Sequence, residues 1–114
     1  MSNYYEQKCL DADKELAHLL GWTEIRPYNK DKWIGQPAGE NLHYLIDIPR
    51  YTKNDAEAFK LIVEHDASPL VGSSGVVVAN AGGIIWYKDF PDRYSCVRFA
   101  IVQATINKLR SEER

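Results

Sequence analysis

The chain has little of what marks most specialised protein classes. Its 114 residues include two cysteines, three histidines and one methionine, and 14 basic residues stand against 16 acidic ones for a formal charge of −2. Cys9 and Cys96 lie far apart with no Cys-x-x-Cys spacing, so they read as two buried free thiols rather than metal ligands. The longest apolar runs, Gly75 to Ala79 and Gly82 to Tyr87, fall far short of the ~20 residues of a membrane-spanning helix, so no membrane association is expected. The opening Met-Ser-Asn-Tyr-Tyr-Glu lacks the basic start and apolar stretch of a secretion signal, which makes the cytoplasm the expected location. Balanced charge also removes the electrostatic footprint of a generic nucleic-acid binder.

What is present is an ordinary folding composition, 45% hydrophobic and 26% charged, enough for one domain over residues 1–114. Tyr5, Cys9, Ala12, Leu16 and Leu19 or Leu20 recur at helical spacing, predicting a helix over 4–20 with Ser2 or Asn3 as N-cap and Gly21 as its stop. On that helix Glu6, Lys8, Asp11, Asp13 and Lys14 fall on the wet face. Residues 23–40 contain Pro27, Gly35, Pro37 and Gly39 and no helical period, so they read as a long loop with a short strand near 32–34. Alternation over Leu42 to Ile48 predicts a strand closed by Pro49.

Thr52 with Asp55 resembles a capping box, opening a helix to about residue 64 or 66 that buries Ala56, Phe59, Ile62 and Val63. Val76 to Ala79 and Ile84 to Tyr87 bracket Asn80-Ala81-Gly82-Gly83 as a hairpin. A last helix begins between Pro91 and Ser95 and runs to about Leu109, and the final Ser-Glu-Glu-Arg is expected to fray. The order α-β-α-β-β-α implies an α+β domain, with one small, mostly antiparallel sheet of three to four strands layered with three helices.

Catalytic chemistry finds no constellation. His18, His43 and His65 sit on different elements without metal-ligand spacing, and no cofactor motif occurs, so neither metal nor cofactor is expected. Cys96 lies beside Arg93 and Arg98 near a helix start, where a thiolate could be favoured, yet Val97 and Phe99 point to a packed thiol. Two stretches remain as candidate binding sites. Arg26, Tyr28, Lys30, Lys32 and Trp33 combine rigid rings with basic groups, a mixture enriched in binding hot spots, although Trp33 also suits an anchor packed on the core. Gly72, Ser73, Ser74 and Gly75 could turn backbone N–H groups to an anion, or form a plain turn, since the Lys-Ser/Thr of a P-loop is missing.

Three segments carry a resemblance: Leu10-Asp11-Ala12 leading to Leu20-Gly21-Trp22, then Ile48-Pro49-Arg50-Tyr51-Thr52-Lys53-Asn54-Asp55-Ala56, then the alanine-containing last helix. Together they resemble the phage ABA-sandwich domain family. The chain departs from that pattern at Thr52 to Asp55 and at Val102-Gln103-Ala104. The resemblance implies a small phage or prophage protein without assigned enzymatic activity. The expected function is therefore non-enzymatic binding, to a host or phage protein, with inhibition of a host defence system as one form. A homodimer fits as well, because so short a chain has little room to bury 11% aromatic residues. The alternative is a small-ligand or nucleotide binder that sequesters a signalling molecule.

Overall fold

A computed structural model describes residues 2–78 and 83–112. Residues 79–82, with most of the predicted connection, and the last two residues lie outside the described residues, while Ser111 and Glu112 of the tail expected to fray are helical. Three α-helices appear among them: α1 (Ser2–Leu19), α2 (Asp55–His65) and α3 (Arg93–Glu112). Strands β1 (Thr23–Asn29), β2 (Lys32–Gln36) and β3 (Ile46–Asp47) form one antiparallel sheet in the order β1-β2-β3. Strands β4 (Leu70–Val71), β5 (Gly75–Val78) and β6 (Gly83–Trp86) form another, in the order β4-β5-β6. The fold is α+β as expected, with two three-stranded sheets where one was predicted.

Helix α3 is the centre of the molecule. Cys96, Ala100, Val102 and Ile106 are fully buried on it, and so are Cys9, Leu16 and Ala17 of α1 and Val76 of β5. Small residues at Ala100 and Ala104 let neighbouring backbones approach, while each buried Leu, Ile or Val contributes about 1.5–3 kcal/mol. Asp92 caps the helix by accepting the Ser95 N–H at 2.8 Å, and those backbone donors hold its carboxyl below the usual carboxylate range. Phe90 packs edge-on against Tyr5 at 5.6 Å and against Phe99 at 5.4 Å, closing the end of the core where α1 meets α3.

Helix α1 ends as its sequence predicts. Gly21 sits at φ +101°, the Trp22 N–H donates to Ala17 C=O and the Gly21 N–H to His18 C=O, a Schellman arrangement. Its wet face does not follow the prediction at Asp13, which is fully buried. The Asp13 carboxylate accepts from Arg50 Nε at 2.7 Å, the Thr52 N–H at 2.9 Å and Thr52 Oγ1 at 3.0 Å. Thr52 is correspondingly no cap. Asn54 caps α2, its side chain accepting the Glu57 N–H at 3.0 Å, while Asp55 pairs with Arg98 at 2.8 Å.

Of the predicted face of α2 only Ile62 packs against the core; Ala58 and Leu61 are buried, while Ala56, Phe59 and Val63 are exposed. Apolar residues lie on most of its circumference, so the period alone could not choose a face. The predicted strand over 42–48 shrinks to Ile46–Asp47. Its earlier backbone is claimed by Gln36, whose side chain accepts from Leu42 N–H and donates to Leu42 C=O, each at 2.8 Å. A side chain has replaced the neighbouring strand as partner.

Removing Asp13 strands a buried guanidinium and a buried hydroxyl. Asp13→Ala is expected to lower stability by about 3–5 kcal/mol in urea unfolding, and Asp13→Asn, which keeps an acceptor, by less. Equal midpoints for wild type and Asp13→Ala would show that the cluster holds nothing together.

Candidate functional site

The stretch predicted as a loop is a hairpin, and its pairing decides where the candidate residues point. Arg26 opposes Ile34, Pro27 opposes Trp33 and Asn29 opposes Lys32, with irregularities between Thr23 and Arg26 and between Pro27 and Asn29. Lys30 and Asp31 form the turn, where Asn29 Oδ1 accepts the Asp31 N–H at 2.7 Å. Trp33 turns towards α1, donates its indole N–H to Leu10 C=O at 3.1 Å and carries Lys14 Nζ over its ring at 4.7 Å. It therefore anchors the hairpin on the core.

Arg26, Ile34 and Asp47 share the opposite face by register. Lys32 joins them through a 3.0 Å ion pair to Asp47 and a contact of 4.6 Å over the Tyr28 ring. The five residues singled out from the sequence are thus divided among a core anchor, a turn and an outer face. They do not form one constellation.

A well-formed concavity lies instead between α1 and β1. This groove of about 650 Å³ is lined by Asp11, Lys14, Glu15 and His18 from one side and by Trp22, Thr23, Glu24 and Ile25 from the other. Its floor is apolar because Trp22 and Ile25 pack against the core, and its rim is charged. Two rim charges are already engaged: Glu15 pairs with Arg110, and Lys14 lies over Trp33. Glu24 is held at φ +52°, a left-handed conformation that costs a non-glycine residue of order 1 kcal/mol or more. Glu24 does not stand out in the sequence, where 23–40 reads as a loop, because the bulge that sets its backbone depends on pairing with β2.

The Gly72 to Gly75 turn joins β4 to β5. The Gly72 N–H is used within the turn, donating to Gly75 C=O at 2.9 Å. Its outward carbonyls are used too, since Tyr87 Oη donates to Gly72 C=O at 2.7 Å and Arg93 Nη2 to Ser73 C=O at 3.4 Å. Beside it, Leu70, Val77, Ile84 and Trp86 form the outer face of the second sheet, each between 43% and 72% exposed. The inner face carries Val76, fully buried against α3. A shallower groove of about 290 Å³ runs between α2 and α3, floored by Phe59, Ile62, Tyr94 and Val97.

Both thiols are buried. Burial pushes the Cys9 thiol up, and it pushes Cys96 up to about 11, with the Asp89 carboxylate adding to the effect. Cys96 Sγ lies 3.6 Å from Ile85 C=O, which the thiol satisfies as a weak donor. Burial likewise raises the Tyr5 and Tyr51 phenols to about 12. Among the described residues no group of three or more His, Cys, Asp or Glu could hold a metal ion, and no helix is long and apolar enough to cross a membrane. No family model, curated protein or solved structure matches the chain.

The two thiols and two phenols raised by burial have one consequence for stability. Each stays protonated in the fold at a pH where the unfolded chain ionises, so its stabilising effect is complete below the ordinary pKa and is lost as pH rises. The urea midpoint should be level from pH 7 to about 8.5 and fall continuously from about pH 9 to 12. At pH 7.5 neither thiol of the native protein should react with a disulfide reagent at a rate within about ten-fold of the unfolded chain. Fast modification of native Cys96 would overturn its placement.

Proposed function

We propose that this chain is a non-enzymatic phage or prophage accessory protein that works by binding a host protein, with inhibition of a host defence system as one form. Its thiols are protonated and packed, so neither serves as a nucleophile at neutral pH. The binding site proposed is the groove between α1 and β1, not the outer face of the hairpin. A concave, apolar-floored surface with a few convergent polar groups is the usual form of a recognition site.

The observation that carries this reading is Glu24. A left-handed, non-glycine residue at the rim of this groove is backbone strain held at a concave surface. With Glu15 and Lys14 engaged by their neighbours, the rim carboxylates outside an ion pair among the described residues are Asp11, which accepts one bond from Gln7 at 2.8 Å, and Glu24. The partner chemistry that matches is a segment placing an apolar side chain over Trp22 and Ile25 and a Lys or Arg against these carboxylates.

Capture from a bacterial host lysate with four baits tests the proposal. Wild type and an Arg26→Ala/Tyr28→Ala double variant should retain the same partner. Asp11→Lys and Glu24→Gly should each reduce its capture by at least ten-fold, roughly 1.4 kcal/mol. Glu24→Gly relieves the backbone strain, so its urea midpoint should equal or exceed wild type, which separates lost binding from lost fold. Retention by both groove variants with loss on the hairpin double variant would move the site to the outer face.

A further inference from the structure

Sheet edges expose unpaired N–H and C=O groups, and folded proteins normally blunt them with bulges, proline, charge or extreme shortness. Three of the four edges here are blunted. Strand β1 has its bulge at Glu24 and carries Pro27. Strand β3 is the two residues Ile46–Asp47 with Pro49 close behind, and β4 is the two residues Leu70–Val71 directly after Pro69. Strand β6 has none of these devices. Its sequence Gly83-Ile84-Ile85-Trp86 contains no charge and no proline, and its register against β5 is unbroken from Gly83 to Trp86.

The hydrogen-bond pattern says which groups of β6 face outward. The Tyr87 N–H donates to Ser74 C=O at 3.1 Å, so Ser74 and Tyr87 form a hydrogen-bonded pair. Two residues along, Val76 with Ile85 is the next such pair. Gly75 confirms the phase from the other side, because its C=O accepts the Gly72 N–H in the direction of β4. Ile84 and Trp86 therefore direct their N–H and C=O away from β5, and neither has a backbone or side-chain partner among the described residues.

We propose that β6 pairs with β6 of a second copy, antiparallel about a two-fold axis through Ile85. In this register Ile84 of one copy opposes Trp86 of the other, and the reverse pair follows from symmetry. Every outward N–H and C=O of Ile84 and Trp86 finds its partner in the other copy. The same register sets the 47%-exposed Ile84 beside the 43%-exposed Trp86 of the second copy on the outer face, an aromatic and β-branched cross-strand pair. On the inner face Ile85 meets Ile85 at the close spacing of a non-hydrogen-bonded pair. A second copy is favoured over an unrelated strand because this short segment satisfies its own edge without remainder. The lack of any charge on the strand gives an oppositely charged partner nothing to recognise. Four-residue pairing buries an area at the small end for specific interfaces, so the dimer dissociates on dilution through the micromolar range.

Light scattering after size exclusion is the first measurement, expected to rise from 13.0 kDa in dilute solution towards about twice that mass at high concentration. Two variants locate the contact. Ile84→Pro removes an N–H that β5 does not use and should give a monomer with an unchanged circular dichroism spectrum. Val77→Lys places a charge on the outer face of the central strand, away from the edge, and should leave the dimer intact. Amide exchange supplies a readout without substitution: the Ile84 and Trp86 N–H groups should exchange at least ten-fold more slowly at high than at low concentration. A 13.0 kDa mass at millimolar concentration overturns the proposal. So does a dimer abolished by Val77→Lys but kept in Ile84→Pro, which would signify face-to-face packing of the sheets.

Discussion

The Asp13 carboxylate is the constraint on which the arrangement of the other elements depends. A charge removed from water is costly unless donors replace its hydration, and here they come from one short segment, Arg50 to Thr52. Burial pushes the Asp13 carboxyl upward, and the Arg50 and Thr52 donors pull it back towards the charged form. Meeting this demand fixes the segment between β3 and α2 against α1. From there the bonds continue outward. Arg50 Nη1 reaches Asp31 C=O at 2.7 Å in the β1–β2 turn, and Arg98 of α3 reaches Thr52 C=O at 3.1 Å. One buried anion thus ties α1, the hairpin turn, the approach to α2 and the central helix into a common frame.

That frame also shapes the groove. With Asp13 turned inward, Asp11, Lys14 and His18 are left to form the outer wall of α1 facing Thr23 to Ile25. Trp33 fixes the opposite wall by bonding to the α1 backbone at Leu10. The apolar floor is a by-product of helix ending: Gly21 reverses the chain so that Trp22 leads directly into β1. Core packing, capping and site geometry are in this way consequences of the same few residues.

The parts of this legible in the sequence were those governed by local physics. Helical spacing located α1 and α3, Gly21 stopped α1, and alternating β-branched runs located β5 and β6. The parts that escaped depend on partners distant along the chain. Asp13 looked like a wet-face residue because its compensating donors lie 37 and 39 positions away. Thr52 looked like a cap because Asp55 three residues on completes a capping-box pattern, and its hydroxyl went to Asp13 instead. The short strand expected near 32–34 is β2, but prolines and glycines hid β1, since edge strands tolerate Pro27 and the bulge breaks alternation at Glu24. The candidate residues of the hairpin stood out by composition, but which face each takes is decided by a register that composition cannot encode.

Of the four sheet edges only β6 is left unblunted, since β4 of the same sheet is as short as β3 and follows Pro69. Bulge, proline and brevity protect the sheet that borders the groove, so that surface presents side chains and no free ladder. The sheet on β6 keeps an uncharged, regular edge on an element that contributes nothing to the groove lining. Because the two regions share no strand or helix, joining two copies through β6 leaves both grooves open. In the dimer proposed above each groove would belong to a bivalent particle, and a partner presenting two copies of its segment would be held at a high effective concentration once the first is bound. A small chain with one modest groove gains avidity by this route without enlarging the site, which is a physical reason to keep one edge unblunted.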